Sequence, residues 1–168
     1  MRIVVISDLH SNFDALSALP EWGDELWVLG DLVDYGPQPN EVIDLIRSRS
    51  KIVMRGNHDH AVGFAEDPGC TPRYRGMALE TQHFTMTSIE PSAAAYLRTL
   101  PLERIVERDG KRFFLCHATP SDPLTLCTVI AQNIPNSGRR KWKRFMPIVS
   151  SSAIRILRSF GKRVLQRS

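Results

Sequence analysis

The sequence predicts an α/β fold with parallel strands and crossover helices, because one pattern of strand, loop and helix recurs along its first part. Residues 3–6, 25–29 and 51–54 are short apolar runs, which are typical of buried strands. Apolar residues at helical spacing follow the first two runs, over 12–19 and 40–46. Such sheets place their functional sites beyond the carboxyl ends of the strands. Polar residues follow each of the three predicted strands.

The second part of the folded region has a different pattern. Apolar spacing and Gly or Pro boundaries predict two helices and a β-hairpin, over residues 76–87, 91–100 and 105–116. The hairpin turn is predicted at Asp109-Gly110. With 168 residues, of which 42% are hydrophobic, the chain is long enough to bury the core of one domain.

Charge divides the chain into two segments. All 18 acidic residues lie between Asp8 and Asp122, and the chain up to Asp122 has 12 Lys and Arg, a balance of −6. The 10 remaining basic residues follow Asp122 without one acidic residue, a balance of +10. This division predicts a folded domain over residues 1–123 and a basic tail over 124–168. It argues against a nucleic-acid-binding surface over the whole protein.

Cysteine content and hydropathy indicate a cytoplasmic protein. The three cysteines, Cys70, Cys116 and Cys127, have no CxxC spacing, so we expect reduced thiols and neither a disulfide framework nor a zinc knuckle. The first strand is followed at once by polar residues, and no apolar stretch is long enough to span a bilayer.

Three short motifs carry the chemistry of the predicted site. They are Asp8-x-His10, Gly30-Asp31-x-x-Asp34 and Gly56-Asn57-His58-Asp59. Two divalent cations about 3.5–4 Å apart can clamp a phosphoryl group and activate water, and they need carboxylate and imidazole ligands with one bridging carboxylate. The predicted ligands are Asp8 and His10 for one metal, Asp31 as the bridge, and Asn57 and His117 for the other metal.

Three further residues are predicted to act on the substrate. His58 adjoins Asn57 and is too crowded to be another ligand, so we expect it to protonate the leaving-group oxygen, with Asp59 as its orienting partner. Arg55 offers a forked cation that suits a phosphate. Asp34 is expected to support the bridging loop. Any one motif alone fits a helix cap or a turn, but their joint occurrence after predicted strands favours a metal site.

These motifs resemble those of the calcineurin-like metallophosphoesterase superfamily. The likeness extends over residues 1 to about 123 and includes Cys116-His117-Ala118, and the segments 30–40 and 55–60 are similar to small bacterial phosphoesterase or phosphodiesterase members. The resemblance implies a four-layer α-β-β-α sandwich and two divalent transition-metal ions, drawn from manganese, iron, zinc, nickel or cobalt. It implies hydrolysis of a phosphomonoester or phosphodiester by a hydroxide held between the metals, on a phosphorylated small molecule or a nucleotide-type substrate.

One family motif is missing from this chain. Gly-His-x-His gives one histidine to each metal in the family, whereas no histidine follows His117 here. The resemblance therefore implies a sandwich that is incomplete at its C-terminal end, with each metal short of one ligand. The active phosphoesterase is the leading interpretation. A degenerate or truncated family member, or a binding protein that acts through its tail, is the alternative.

The basic tail from residue 138 has two interpretations of its own. Basic residues at 139–144 precede apolar residues at helical spacing, which predicts an amphipathic helix able to contact a polyanion or an anionic membrane. The alternative is a helix packed on the domain, or a segment without an evolved role, such as the product of a shifted reading frame or a truncated domain. The loss of acidic residues together with the histidine motif favours this alternative.

Overall fold

The computed structural model describes residues 1–120 and 122–124, together with the backbone of two further strands. The strands are β1 (Ile3–Ile6), β2 (Glu25–Val28), β3 (Ile52–Val53), β4 (Glu103–Arg108), β5 (Lys111–Cys116), β6 (Val129–Gln132) and β7 (Ile154–Leu157). They form a first sheet in the order β3-β2-β1-β7 and a second sheet in the order β4-β5-β6. β1 is parallel to β2, and β2 is parallel to β3, so the predicted α/β class is confirmed.

The described residues form five helices, which lie between β1 and β4 in the chain. They are α1 (Phe13–Ser17), α2 (Pro39–Arg49), α3 (Asn57–Phe64), α4 (Pro72–Ser88) and α5 (Pro91–Thr99). The Asn12 side chain caps α1 by accepting a hydrogen bond of 2.9 Å from the backbone N–H of Ala15. A proline begins α2, α4 and α5, where its fixed φ and missing N–H cost nothing. The predicted helices and the β4–β5 hairpin are confirmed, with ends shifted by a few residues.

α3 corrects one prediction, because residues 56–60 are predicted as a loop. Gly56 has extended backbone, and the chain turns helical at Asn57. The Asp59 side chain reaches back to accept a hydrogen bond of 2.9 Å from the Gly56 N–H, which satisfies a donor at the start of the helix. Asn57 and His58 therefore lie in the first turn of a helix.

Two strands belong to the segment predicted as a basic, helical tail. β6 is antiparallel to β5, and β7 is antiparallel to β1. The helical prediction is wrong over Ile154–Leu157, where two β-branched isoleucines favour the extended backbone of a sheet edge. The rest of 138–168, with the predicted contact to a polyanion or membrane, lies outside the described residues. Among the described residues, no helix combines the length and the apolar character that a membrane span requires.

Alternation along the strands divides the core into two clusters. Val4 and Ile6 of β1 join the cluster that includes Val42 and Ile46 of α2 and Leu97 of α5. On the other face of the first sheet, a second cluster joins the two sheets. It contains Ile3, Val5, Trp27, Leu29, Ile52 and Met54 from the first sheet and its strand ends, and Val106, Phe113 and Leu115 from the second sheet. The helices therefore cover one face of the first sheet, and the second sheet covers the other.

Three of the four implied layers are present in the described part of the chain: helices, first sheet and second sheet. The outer face of the second sheet carries Ile105, which is 51% exposed. No helix among the described residues covers this face. The sandwich is thus incomplete within that part of the chain.

The packing of the two sheets predicts unequal effects for two apolar substitutions in the hairpin. Leu115 has no exposed surface and contacts the face of the first sheet, whereas Ile105 faces outward. Leu115→Ala should lower the free energy of unfolding by about 2–5 kcal/mol, because it removes buried methyl groups and leaves a cavity. Ile105→Ala is the matched control and should cost far less. Urea unfolding followed by circular dichroism measures both, and equal costs would contradict this packing.

Candidate metal centre

Polar residues at the ends of four strands lie at one edge of the sheets. The segments that follow β1, β2, β3 and β5 carry Asp8, Asp31, Asn57 and His117, in that order. Backbone hydrogen bonds tie the first two loops together, from the Asp8 N–H to the Gly30 carbonyl at 3.0 Å and from the His10 N–H to the Asp31 carbonyl at 2.9 Å. The predicted site residues therefore converge from distant parts of the chain.

Asp31 is the centre of this cluster. Its buried carboxylate places Oδ2 3.3 Å from Nε2 of His117 and 3.9 Å from Nε2 of His10. The ligand atoms of Asp8, His10 and Asp31 all lie within 4.8 Å of one another. A carboxylate between two imidazole nitrogens has the arrangement of a bridging ligand.

Both imidazoles are held with Nε2 available. Nδ1 of His10 lies 3.1 Å from the carbonyl oxygen of Val33, and Nδ1 of His117 lies 2.9 Å from that of Leu29. Because a carbonyl oxygen can only accept, each Nδ1 carries the proton. With the proton at Nδ1, Nε2 is the nitrogen that can offer a lone pair to a metal.

Asn57 supplies an independent indication of a cation. Its Nδ2 donates a hydrogen bond of 2.7 Å to the carbonyl of Pro68, which fixes the orientation of the amide. Its Oδ1 is buried and has no hydrogen-bond partner among the described residues. A buried amide oxygen without a donor is costly unless something else coordinates it. The donor set of Asp8, His10, Asp31, Asn57 and His117 thus fits divalent transition metals.

Backbone strain is concentrated in the same loops. Of the eight non-glycine residues with positive φ in the described part of the chain, six lie directly after β1 and β2: Asp8, His10, Ser11, Asp31, Asp34 and Tyr35. Left-handed backbone costs a non-glycine residue of order 1 kcal/mol or more and persists only where the surrounding structure enforces it. This concentration is typical of a functional site.

The orienting partner of His58 is Asp34, which corrects the prediction for Asp59. Nδ1 of His58 lies 2.8 Å from Oδ2 of Asp34, and both side chains are buried. Burial opposes protonation of His58, but the Asp34 carboxylate and the charge of Asp31 raise its pKa above the usual value. With Nδ1 engaged, only Nε2 of His58 is left to face a substrate.

Asp59 instead joins two loops. Its Oδ2 accepts hydrogen bonds of 2.8 Å from the Asp31 N–H and 2.9 Å from the Gly56 N–H, and its Oδ1 accepts one of 2.7 Å from the Leu32 N–H. The His58 N–H donates in return to Oδ1 of Asp31 at 3.0 Å. Asp59 points away from the His58 ring because neighbouring residues of a helix project about 100° apart. Its role is to position the loops after β2 and β3.

Arg55 has a different setting from the one predicted. Its guanidinium donates a hydrogen bond of 3.1 Å to the Arg98 carbonyl of α5 and stacks on the Phe64 ring at 5.0 Å. Both contacts hold the side chain against α3 and α5. The predicted contact with a phosphate gains no support from this packing.

The electrostatics of the site centre on Asp31 and His117. Burial alone would raise the pKa of Asp31, but the imidazole of His117, with further contributions from His58 and His10, lowers it to about 2. Burial would lower the pKa of His117, but the Asp31 carboxylate raises it to about 9. The carboxylate at the centre is therefore ionised and is stabilised by neighbouring positive charge.

Two glycines permit the close approach of these loops. A Cβ on Gly56 would overlap the Asp31 carboxylate, and a Cβ on Gly30 would lie 2.5 Å from the Gly56 nitrogen. Gly30 also has φ of +101°, which only glycine adopts readily. These contacts explain why glycine precedes Asp31 and Asn57 in the two motifs.

Comparison with known proteins decides the family. A sequence model of the calcineurin-like phosphoesterases matches residues 1–162. The chain belongs to the calcineurin-like phosphoesterase family. This confirms the resemblance carried by the three motifs, and the cluster of Asp8, His10 and Asp31, which could hold a metal ion, agrees with it.

Several relatives resemble this chain over most of its length. Uncharacterized protein MJ0912 of Methanocaldococcus jannaschii is 36% identical over 128 residues, which cover 72% of this chain and 51% of the relative. A metallophosphoesterase from Sphaerobacter thermophilus is 32% identical with a TM-score of 0.59, covering 74% of this chain and 49% of that structure. Hypothetical protein PH1004 from Pyrococcus horikoshii OT3 shares the fold, with a TM-score of 0.62 at 22% identity. The match covers 73% of this chain and 57% of that structure. The chain spans about half the length of these relatives.

A shorter similarity concerns proteins with a named activity. The symmetrical bis(5'-nucleosyl)-tetraphosphatase of Psychromonas ingrahamii is 40% identical over 68 residues, which cover 35% of this chain and 24% of that phosphoesterase. The corresponding protein of Nitrosococcus oceani is 37% identical over 67 residues, with the same shares of the two chains covered.

Sequence reasoning missed part of this site. Cys70 lies with its Sγ 3.5 Å from Nε2 of His58 and 3.5 Å from the Tyr35 hydroxyl, and the Pro68 carbonyl holds Asn57. Cys70 and Pro68 belong to the connection between α3 and α4, which carries no periodic pattern. Only the Pro68-Gly69 pair, typical of a loop, could have drawn attention to it.

The close approach of Gly56 predicts a strong effect of one added methyl group. Gly56→Ala should lower the free energy of unfolding by about 1–3 kcal/mol, because the loops after β2 and β3 must separate. It should also weaken Mn²⁺ binding by roughly tenfold or more, since Asp31 moves with its loop. Thermal melting and calorimetric titration with Mn²⁺ measure the two effects.

Gly76→Ala is the matched control. Gly76 lies in α4, where an added Cβ meets no atom within 4 Å. Alanine in a helix interior is favoured over glycine by about 0.5–1 kcal/mol, so this variant should be slightly more stable and bind Mn²⁺ normally. Equal Mn²⁺ affinity in the two variants would contradict the role given to Gly56.

Proposed function

We propose that this chain is a metal-dependent phosphoesterase that hydrolyses a phosphomonoester or phosphodiester with two divalent transition metals. The observation that carries the proposal is the Asp31 carboxylate between the Nε2 atoms of His10 and His117. The buried Oδ1 of Asn57, which has no hydrogen-bond partner among the described residues, supports a further coordination position. Membership of the phosphoesterase family agrees with this chemistry.

Each residue of the site has a separate role in the proposed hydrolysis. Asp8 and His10 would hold one metal, Asn57 and His117 the other, and Asp31 both. Bound metals would neutralise the phosphoryl charge and lower the pKa of water. His58 would give a proton from Nε2 to the leaving oxygen, and Asp34 would keep the ring oriented through Nδ1. Asp59 would act only by positioning the loops.

The substrate class is proposed from the relatives. Stretches of about 67–68 residues resemble symmetrical bis(5'-nucleosyl)-tetraphosphatases, which favours a nucleotide-type substrate over other phosphorylated small molecules. A cytoplasmic location agrees with such a substrate and stays a prediction.

A degenerate protein is the second candidate, because no Gly-His-x-His motif lies within these 168 residues. The ligands that this chain supplies do not include that histidine pair, and a lost ligand weakens metal affinity. Metal content separates the two candidates. We expect about two equivalents of transition metal per chain by mass spectrometry after incubation with Mn²⁺ and desalting, whereas one or none would favour degeneracy.

The direct test of the proposal is metal-dependent turnover. With Mn²⁺ added, the full chain should hydrolyse bis(p-nitrophenyl) phosphate or p-nitrophenyl phosphate, and His58→Ala should lower kcat on the order of 10²–10⁴-fold, the usual contribution of a general acid. His83→Ala is the control, because His83 is exposed on α4. Wild-type turnover no greater than that of His58→Ala would refute the enzyme.

A double-mutant cycle tests the partnership of Asp34 and His58. Asp34→Asn should lower kcat by roughly ten- to a hundredfold, because the imidazole loses its charged partner. The Asp34→Asn/His58→Ala double variant should be no slower than His58→Ala, since Asp34 acts through the ring. Multiplicative losses in the double variant would show that Asp34 has an independent role.

A further inference from the structure

Nε2 of His58 faces two side chains that the hydrolysis described above does not use. Cys70 Sγ lies 3.5 Å from this nitrogen, and the Tyr35 hydroxyl lies 3.5 Å from the same sulfur. Because Nδ1 is engaged by Asp34, a leaving oxygen must approach Nε2 from the side that these two residues line. The sulfur and the hydroxyl therefore stand where the substrate must arrive.

The Tyr35 ring also lies between a metal ligand and the proton donor. Its centroid is 4.7 Å from the His10 ring and 4.9 Å from the His58 ring. Tyr35 is partly exposed. A phosphoryl group that reaches both His58 and the metal ligands must pass next to this ring.

The backbone holds Tyr35 in this place at a cost. Tyr35 has φ of +61°, in the left-handed region that a bulky aromatic residue rarely adopts. The next residue, Gly36, donates its N–H to the His10 carbonyl at 3.0 Å, which ties the Tyr35 loop to the metal-ligand loop. The position of the ring is thus tied to that of His10.

We infer that the Tyr35 hydroxyl contacts the substrate by donating a hydrogen bond to a phosphoryl oxygen, and that Cys70 is its partner when no substrate is bound. This inference deepens the proposed function and rests on it. It assigns Tyr35 to recognition of the phosphoryl group itself, on the side of the leaving oxygen.

The resting contact is easily exchanged for a substrate oxygen. Sulfur is a weak hydrogen-bond acceptor, whereas a phosphoryl oxygen carries charge and accepts a bond about twice as strong as a neutral one. A phenolic hydroxyl carries its own proton and can donate it to either acceptor. The exchange therefore replaces a poor acceptor by a good one without a change in protonation.

Inorganic phosphate is the probe, titrated calorimetrically into the Mn²⁺-loaded full chain. Tyr35→Phe keeps the ring between the two histidines and removes only the hydroxyl, so phosphate should bind about tenfold more weakly. KM for p-nitrophenyl phosphate should rise by a similar factor. Tyr74→Phe is the control, because Tyr74 is 49% exposed on α4 and lies beside Arg73. Thermal melting of each variant checks that the fold is retained.

Cys70→Ala separates recognition from a structural role of the Tyr35–Cys70 contact. If Cys70 only occupies the hydroxyl until substrate arrives, its removal should leave phosphate binding as tight as in wild type or up to severalfold tighter. A contact that merely braces the loop would make Tyr35→Phe and Cys70→Ala weaken binding alike. That result, or unchanged affinity in Tyr35→Phe, would overturn the inference.

Measurements on the wild-type protein distinguish failure of the Tyr35 inference from failure of the proposed function. Metal-dependent turnover with equal phosphate affinity in wild type and Tyr35→Phe would leave the phosphoesterase standing and remove Tyr35 from it. Absence of both turnover and phosphate binding in the Mn²⁺-loaded wild type would overturn the proposed function, and the role of Tyr35 with it.

Discussion

The Asp59 carboxylate is the constraint on which the rest of the site depends. Three backbone N–H groups from the loops after β2 and β3 converge on its two oxygens, and all of them are buried. In a buried environment each N–H left without an acceptor would cost about 1–3 kcal/mol, so the loops have little freedom to separate. Asp31 belongs to the first of these loops, and Asn57 begins α3 directly after the second. Hydrogen bonds of the backbone therefore fix the separation between Asp31 and Asn57.

The hydrogen bonds between these loops also explain how strained backbone persists next to Asp31. Left-handed residues are unfavourable singly, yet the loops after β1 and β2 contain six of them. Hydrogen bonds between the loops, such as that from the Ser11 N–H to the Leu32 carbonyl at 2.8 Å, hold the strained segments against one another. Glycine at positions 30 and 56 removes the side chains that would prevent this approach. Strain and close packing thus have one common cause, the convergence of loops around a small centre.

Local patterns were enough to predict β1 to β5 and most helices, and the five residues proposed as metal ligands each follow one of these strands. Each ligand follows a short apolar run, and parallel strands bring such positions together. The partner of His58 could not be predicted in this way, because the start of α3 decides it. Once Asn57 begins a helix, Asp59 turns away from the His58 ring, and Asp34 from another loop takes its place. Cys70 was beyond prediction for a similar reason, since its place depends on long-range contacts of an irregular connection.

His58 and Asp31 are linked by hydrogen bonds. His58 is held twice, by its N–H to Oδ1 of Asp31 and by its ring to Asp34, and both carboxylates belong to the loop after β2. A shift of that loop would therefore move the Asp31 carboxylate and the imidazole together. The His117 ring, which follows β5, is tied to the residue after β2, with Nδ1 2.9 Å from the Leu29 carbonyl oxygen. The spacing between His117 and Asp31 therefore depends on the packing of the second sheet as well as on the loop after β2.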